Sequence, residues 1–346
     1  GFVRAFDWST DSNHLAFIRF DESDTPEFSM DVYGHGIYPS QQTFKYPKPG
    51  EKNSKVSIHM YELSHKKRYE LDLGELQQYY IPRIKWTQEP SELSIITLNR
   101  HQNNLNLISF STKTRQASLL LNETDQAYLK ITNDLTFLHD NSFIWSSERN
   151  GYNHLYHYDK KGQLKNQMTQ GQWEVTKYYG YDKKSDRVFY QSTEEGSINR
   201  SVYSSHISGT NKKKLSTHAG INSAAFSKSF NYFVNTYSSA TTPTNYTLVD
   251  ARNGKILKEI KNNLDMAEKL KAYDISKKEF STLETKNGNF NMWMIKPSDF
   301  DPNKKYPLLM FQYSGPGSQS VVNRFNNPKR YDYWHLMLAE KGYIIA

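Results

Sequence analysis

Alternating apolar and polar positions recur along this chain in short runs, each closed by a polar turn. The stretch Trp8-Ser9-Thr10-Asp11-Ser12-Asn13-His14-Leu15-Ala16-Phe17 sets the form: an aromatic strand end, a Thr-Asp-Ser-Asn turn, then a new apolar strand. Similar pieces follow at Trp86 to Ile96, Phe137 to Ile144, Tyr181 to Tyr190 and Ala225 to Phe233. Taking Ile95, Phe143, Val188 and Tyr232 as anchors, the spacings are 48, 45 and 44 residues. A period near 45 with four strands per unit is the signature of propeller blades. The interval from Ala16 to Ile95 is 79 residues, so the first unit carries an insertion, placed at about 21–53.

Each unit has a second alternating strand: Ser57 to Tyr61, Asn106 to Phe110, His154 to Tyr158, Ser201 to Ser205 and Asn245 to Val249. Period-2 alternation turns one face to a neighbouring blade and the other to solvent or to the opposite neighbour. Turn signals follow at Ser64-His65-Lys66, Asp159 to Gly162, Ile207-Ser208-Gly209 and Asp250 to Gly254. The expectation is a mainly β chain with about five blades over 1–262.

From Asn262 the pattern changes. Leu264 to Leu270 reads as a short helix, and Phe280 to Thr285 with Phe290 to Ile295 reads as a hairpin around Lys286-Asn287-Gly288-Asn289. Leu308 to Phe311, between Pro307 and Gly315-Pro316-Gly317, reads as a short buried strand. A helix over Tyr331 to Glu340, stopped by Gly342, and a strand Tyr343 to Ile345 give a strand–helix–strand order. A second domain, 263–346, is therefore expected, with its boundary near 262–275.

Composition narrows the chemistry. Tyr, Phe and Trp make up 14% of the 346 residues, which favours strands. Cys is absent, which excludes a disulfide framework, a thiolate zinc site and a thiol nucleophile. The net charge of +8 raises nucleic acid as a partner. However, the basic runs (Lys66 to Arg68, Lys183-Lys184, Lys212 to Lys214, Lys304-Lys305) fall at expected turns and read as solvated loop tips. No run approaches the roughly 18 apolar residues of a membrane span. Gly1-Phe2-Val3-Arg4 reads as mid-domain sequence and Ile344-Ile345-Ala346 stops inside an apolar run, so an internal fragment of a longer protein is expected.

Several residues invite a functional reading. Tyr313 stands where its strand runs out, so its hydroxyl can reach a sheet edge, where α/β enzymes place their chemistry; a tyrosine packed at a strand end fits equally. The sequence holds no Gly-x-Ser-x-Gly elbow, and Ser314 and Ser318 belong to the glycine-rich loop. His335 lies on a helix and reads as structural. His154 and His157 are three apart on a strand, point to opposite faces and cannot share a metal. The acidic group Asp21, Glu22, Asp24 and Glu27 lacks the spacing and glycine of a calcium loop. No metal or cofactor is expected. Glu194-Glu195 reads as a solvated turn after a strand. Three glycosylation sequons, at Asn122, Asn199 and Asn245, carry little weight because such triplets are frequent by chance.

Taken together, Trp8 to Phe17, the acidic insertion with Tyr46-Pro47-Lys48-Pro49-Gly50, Thr169-x-Gly171-x-Trp173-Glu174-Val175, and above all Tyr306 to Gln319 resemble the dipeptidyl peptidase IV family of the prolyl oligopeptidase clan, in a bacterial form. The resemblance implies the rear blades of an eight-bladed propeller followed by the truncated start of an α/β-hydrolase domain. It implies a serine exopeptidase that removes dipeptides, with Pro or Ala penultimate, from peptides with a free N-terminus. In it Tyr313 would donate a hydrogen bond to the oxyanion. The insertion, about Asp24 to Tyr46, would be an arm at a homodimer interface. The family's nucleophile, acid and base, and its Glu-Glu amine-binding motif, have no counterpart in this chain, so the chain alone is expected to be inactive. A periplasmic or cell-surface parent is expected. Rival readings are a non-catalytic peptide-binding propeller and another peptidase of the clan, such as an acylaminoacyl peptidase.

Overall fold

The computed structural model describes residues 4–273, 275–313, 315, 317–326 and 331–346. In chain order the first sheet comprises β1 (Phe6–Trp8), β2 (His14–Asp21), β5 (Lys55–Glu62) and β6 (Lys67–Glu70), interrupted by a separate hairpin, β3 (Glu27–Val32) and β4 (Ser40–Lys45). The second comprises β7 (Tyr80–Trp86), β8 (Glu92–Leu98), β9 (Asn104–Ser111) and β10 (Ala117–Thr124). The third comprises β11 (Thr136–Phe137), β12 (Phe143–Ser147), β13 (His154–Tyr158) and β14 (Leu164–Gln167). The fourth comprises β15 (Val175–Asp182), β16 (Arg187–Ser192), β17 (Ser201–His206) and β18 (Lys213–Lys214). The fifth comprises β19 (Ile221–Phe226), β20 (Tyr232–Ser239), β21 (Thr242–Asp250) and β22 (Ile256–Lys261). In each, strands pair in chain order apart from the excursion in the first, which is the four-stranded meander of a propeller blade.

Beyond the fifth sheet lie α1 (Leu264–Lys271), the hairpin β23 (Glu279–Thr285) and β24 (Gly288–Met294), then β25 (Leu308–Leu309), α2 (Asp332–Glu340) and β26 (Ile344–Ile345). β25 and β26 are parallel, as a strand–helix–strand unit requires. The chain forms two compact units: Gly1–Glu148 with His157–Lys165, and Arg149–Tyr156 with Asn166–Ala346. Residues on both sides of position 262 therefore belong to the second unit.

The middle strands are buried on both faces: every residue of β12 and β13 is buried, and nearly every residue of β8, β16 and β17. In the first unit, Ala16, Ile18, Ile58 and Met60 of the first sheet pack on Ile81, Leu93, Ile95 and Phe110 of the second. In the second, Phe189 and Val202 of the fourth pack with Ala224, Phe233 and Val249 of the fifth. Polar links stitch the same interfaces. The indole N–H of Trp86 donates to the Asp7 carbonyl at 3.0 Å, and Gln191 donates its amide to the Asn222 carbonyl.

His154 and His157 are both buried; His154 bonds Thr169 Oγ1 and the Gly171 carbonyl, each at 3.0 Å, and His157 bonds Ser142 Oγ at 3.0 Å. Asp21 caps Ser23, and Asp24 pairs with Lys55 at 2.7 Å. The insertion folds as a regular β-hairpin whose tip stands clear of its unit, with Tyr33, Ile37 and Tyr38 at 77, 93 and 87% exposure.

Three expectations need correction. The Lys66 to Arg68 and Lys212 to Lys214 runs are not loop tips, because Lys67 and Arg68 open strand β6 against β5, and Lys213 and Lys214 form strand β18 against β17. Likewise Leu308 to Phe311 is not a buried strand: among the described residues β25 pairs only with β26, and Leu308 and Met310 are 57 and 66% exposed.

The turn glycines recur for a steric reason. Gly162 has φ +81°, and a Cβ there would sit 1.8 Å from the Leu120 carbonyl oxygen of the preceding sheet. Gly209 and Gly254 repeat that close approach one blade and two blades later. Gly162→Ala is expected to cost roughly 3 kcal/mol or more, against about 1 kcal/mol for Gly50→Ala, whose φ is also positive but whose Cβ meets nothing. Chemical-denaturant unfolding of both variants checks the contrast.

Candidate functional site

A cleft of about 620 Å³ lies in the second unit, walled by the ends of β24 and β25, the loop after Tyr313 and the first turns of α2. Its frame is a small sheet edge. Ile295 exchanges both backbone hydrogen bonds with Ile345, at 2.8 and 2.9 Å, and the Phe311 N–H donates to the Ala346 carbonyl at 2.6 Å. Behind it Trp293, Ile295, Leu336, Ala339 and Ile345 form a buried cluster. The frame delivers Tyr313 to the mouth of the cleft, where its side chain is 70% exposed. Gly315 runs beneath the ring: a Cβ there would lie 3.1 Å from Tyr313 Cε1 and 3.6 Å from its hydroxyl. Ser314 and Pro316 of the expected turn lie outside the described residues.

The floor is ionic. Lys278 Nζ meets Asp332 Oδ1 at 2.9 Å, with both side chains under 10% exposed, and Arg324 Nη2 approaches Asp332 Oδ2 at 3.6 Å. Two cations thus share one buried carboxylate. The carboxylate sits in the first turn of α2, where the helix dipole favours negative charge. The Lys278 ammonium also lies 5.3 Å from the centre of the Trp293 ring.

His335 is fully enclosed in this wall among Trp293, Phe311 and Trp334, at ring separations of 5.2 to 5.6 Å. Burial pushes its pKa below the ordinary value; Asp332 opposes that and Lys278 adds to it, so the neutral imidazole is favoured.

Tyr313 and His335 thus share one cleft. Lys278, Arg324 and Asp332, which complete it, carried no sequence signal: they stand apart in the chain and resemble any surface charges. Glu194 and Glu195 lie elsewhere, in the turn after β16. Glu194 is only half-buried and bound to Lys212, and the exposed Glu195 is bound to Lys214. Among the described residues no three His, Cys, Asp or Glu side chains cluster to hold a metal. Nor is any described helix long and apolar enough to cross a membrane.

Removing the Asp332 charge would take a buried counter-ion from Lys278 and Arg324. Asp332→Asn is expected to cost roughly 3–5 kcal/mol, read as a lower midpoint in chemical unfolding followed by Trp fluorescence. Lys278→Met, which keeps the Asp332–Arg324 contact, is expected to cost less.

Comparison with known proteins follows the same lines. Residues 1–244 match the family model described as the dipeptidyl peptidase IV (DPP IV) N-terminal region. A crystal structure of Porphyromonas gingivalis dipeptidyl peptidase 4 superposes with a TM-score of 0.91 at 41% identity, covering 99% of this chain and 48% of that one. A Phaeosphaeria nodorum protein named "Probable dipeptidyl-aminopeptidase B" is 26% identical over 98% of this chain and 40% of its own length. Dipeptidyl peptidase 4 of Trichophyton equinum is 26% identical over 92% of this chain and 43% of its own. The chain therefore spans less than half of each of these relatives.

Proposed function

The chain belongs to the dipeptidyl peptidase IV family, and from that premise we propose that it is part of a serine exopeptidase that releases N-terminal dipeptides, with Pro or Ala penultimate, from peptides. The observation that carries this reading is the placement of Tyr313: a phenol held at the mouth of an open cleft by a parallel strand edge, its hydroxyl free to donate. Attack on a peptide carbonyl puts negative charge on the carbonyl oxygen. A donor fixed where that charge develops stabilises the transition state more than the ground state.

In this reading β25, α2 and β26 begin an α/β-hydrolase domain whose nucleophile, acid and base come from other parts of the complete enzyme. The absence of a Gly-x-Ser-x-Gly elbow from the sequence supports that division of labour. The free amine of the substrate also needs a carboxylate partner. Glu194 and Glu195 do not supply it, since each already neutralises a lysine. A bacterial exported parent, periplasmic or at the cell surface, fits a cysteine-free chain similar to the Porphyromonas gingivalis enzyme.

The exposed hairpin is the proposed dimer arm. Its strands are held by Ser29–Thr43 at 2.7 Å and by Lys48 over the Phe28 ring at 4.0 Å, and its tip presents Tyr33, Ile37 and Tyr38. Met30, Val32, Tyr33, Ile37 and Tyr38 are all exposed on this one hairpin, and apolar residues grouped in that way suit a second copy better than water.

Two measurements test the proposal. In the complete enzyme, Tyr313→Phe is expected to lower kcat for a Gly-Pro anilide by about 100-fold or more with KM little changed; unchanged kcat would remove the oxyanion role. Ile37→Asp with Tyr38→Ser is expected to shift the dimer toward monomer in sedimentation by at least about tenfold in Kd; an unshifted dimer would place the interface elsewhere.

A further inference from the structure

The loop that follows Tyr313 reaches the fourth sheet through Gln319, whose amide donates to the Ser197 carbonyl at 3.4 Å, and reaches both the fourth and the fifth through Asn323. Asn323 uses each of its polar groups except its own carbonyl. Its backbone N–H donates to the Ile198 carbonyl at 2.9 Å, its side-chain amide donates to Asn199 Oδ1 at 3.1 Å, and its Oδ1 accepts the Ala240 N–H at 2.9 Å. Ile198 and Asn199 lie in the β16–β17 loop of the fourth sheet, and Ala240 lies at the β20–β21 turn of the fifth. Both are connections between the second and third strands of their sheets, so Asn323 bridges equivalent corners of adjacent blades.

The receiving loop is itself braced. Glu194 is tied to Lys212 and Glu195 to Lys214, the Asn199 amide donates to the Glu195 carbonyl at 3.1 Å, and Arg200 donates to the Ser197 carbonyl at 2.8 Å. The β23–β24 hairpin joins at the same place, with the Asn291 amide donating to Ser197 Oγ at 2.8 Å. On the other side of Asn323, Arg324 turns into the cleft toward Asp332. Adjacent residues thus face outward to the blades and inward to the cleft.

We propose that Asn323 is a positioning residue: it seats the loop after Tyr313 on the fourth and fifth blades, and so sets where the phenol stands relative to the scissile carbonyl. The proposal rests on the oxyanion role of Tyr313. A hydrogen bond to a developing charge is steep in distance, and misplacement by about 1 Å can cost on the order of 100-fold in rate. A seat of three hydrogen bonds with partly buried partners restrains displacement of that order.

The test is a double-mutant cycle in the complete enzyme, using a Gly-Pro anilide. Asn323→Ala is expected to lower kcat about tenfold with KM within about twofold, and to speed amide exchange in 317–326. Asn199→Ala, which removes the side-chain partner of Asn323 together with the bond to the Glu195 carbonyl but keeps the two backbone bonds of the seat, is expected to give a smaller loss of the same kind. In a Tyr313→Phe background Asn323→Ala is expected to cost almost nothing further. An equal loss in both backgrounds, or no loss in either, overturns the positioning role. If Tyr313→Phe is impaired while Asn323→Ala matches wild type, only the seat fails; if Tyr313→Phe matches wild type, the oxyanion reading falls and the seat with it.

Discussion

Burial of the middle strands on both faces is the constraint from which the rest of the structure follows. A four-stranded antiparallel sheet with one wet face needs only one packing partner, whereas β8, β12, β13, β16 and β17 have no wet face. Most polar groups on them must then find a protein partner. Ser94 donates to the Lys85 carbonyl at 2.6 Å, and the Thr169 hydroxyl serves both His154 and the Leu155 N–H. Close approach of the sheets also forces the glycines in the turns. Gly162, Gly209 and Gly254 are where one blade's turn presses on the backbone of the sheet before it.

That constraint explains which features were legible in the sequence. The blade period survives because each turn needs Asp, Asn or Gly at a fixed place, whatever packs between, and the strand centres His154 to Tyr158 and Ser201 to Ser205 fall where the alternation put them. The meaning of the alternation was harder to read. In β13 the succession His154, Leu155, Tyr156, His157, Tyr158 looks like one wet and one dry face, yet all five are buried. Hydroxyls and imidazoles paired to nearby partners mimic a solvent face in sequence. The strand at Leu308 misled in the opposite sense, since an apolar run guarantees burial only if something covers it.

The cleft was legible only at Tyr313. A glycine-rich stretch after an apolar run marks a loop in any context, and the family resemblance gave that loop a role. The ionic floor escaped because Lys278 and Asp332 are 54 residues apart, and neither has a periodic neighbour to betray burial. Asn323 escaped for a related reason. An asparagine in a Val-Val-Asn-Arg run has no local pattern, and its partners Asn199 and Ala240 lie in loops that look like ordinary hairpin ends.

The same geometry bears on the glutamate pair at 194 and 195. A carboxylate that is to receive a substrate ammonium must be desolvated and unpaired beforehand, and that state is costly. Here the opposite holds: Lys212 and Lys214 each take one carboxylate, and Lys212 also lies 5.8 Å from the Trp173 ring and 6.0 Å from the Tyr203 ring. Burial pushes the phenols of Tyr190 and Tyr203 well up, and the glutamates nearby add to it, so both remain neutral donors over the working range of pH. A site arranged this way holds its own loop still and leaves no charge over for a ligand. The two glutamates are thereby assigned to the bracing of Ser197 to Asn199, and the rigidity of that loop is what makes it a seat for Asn323.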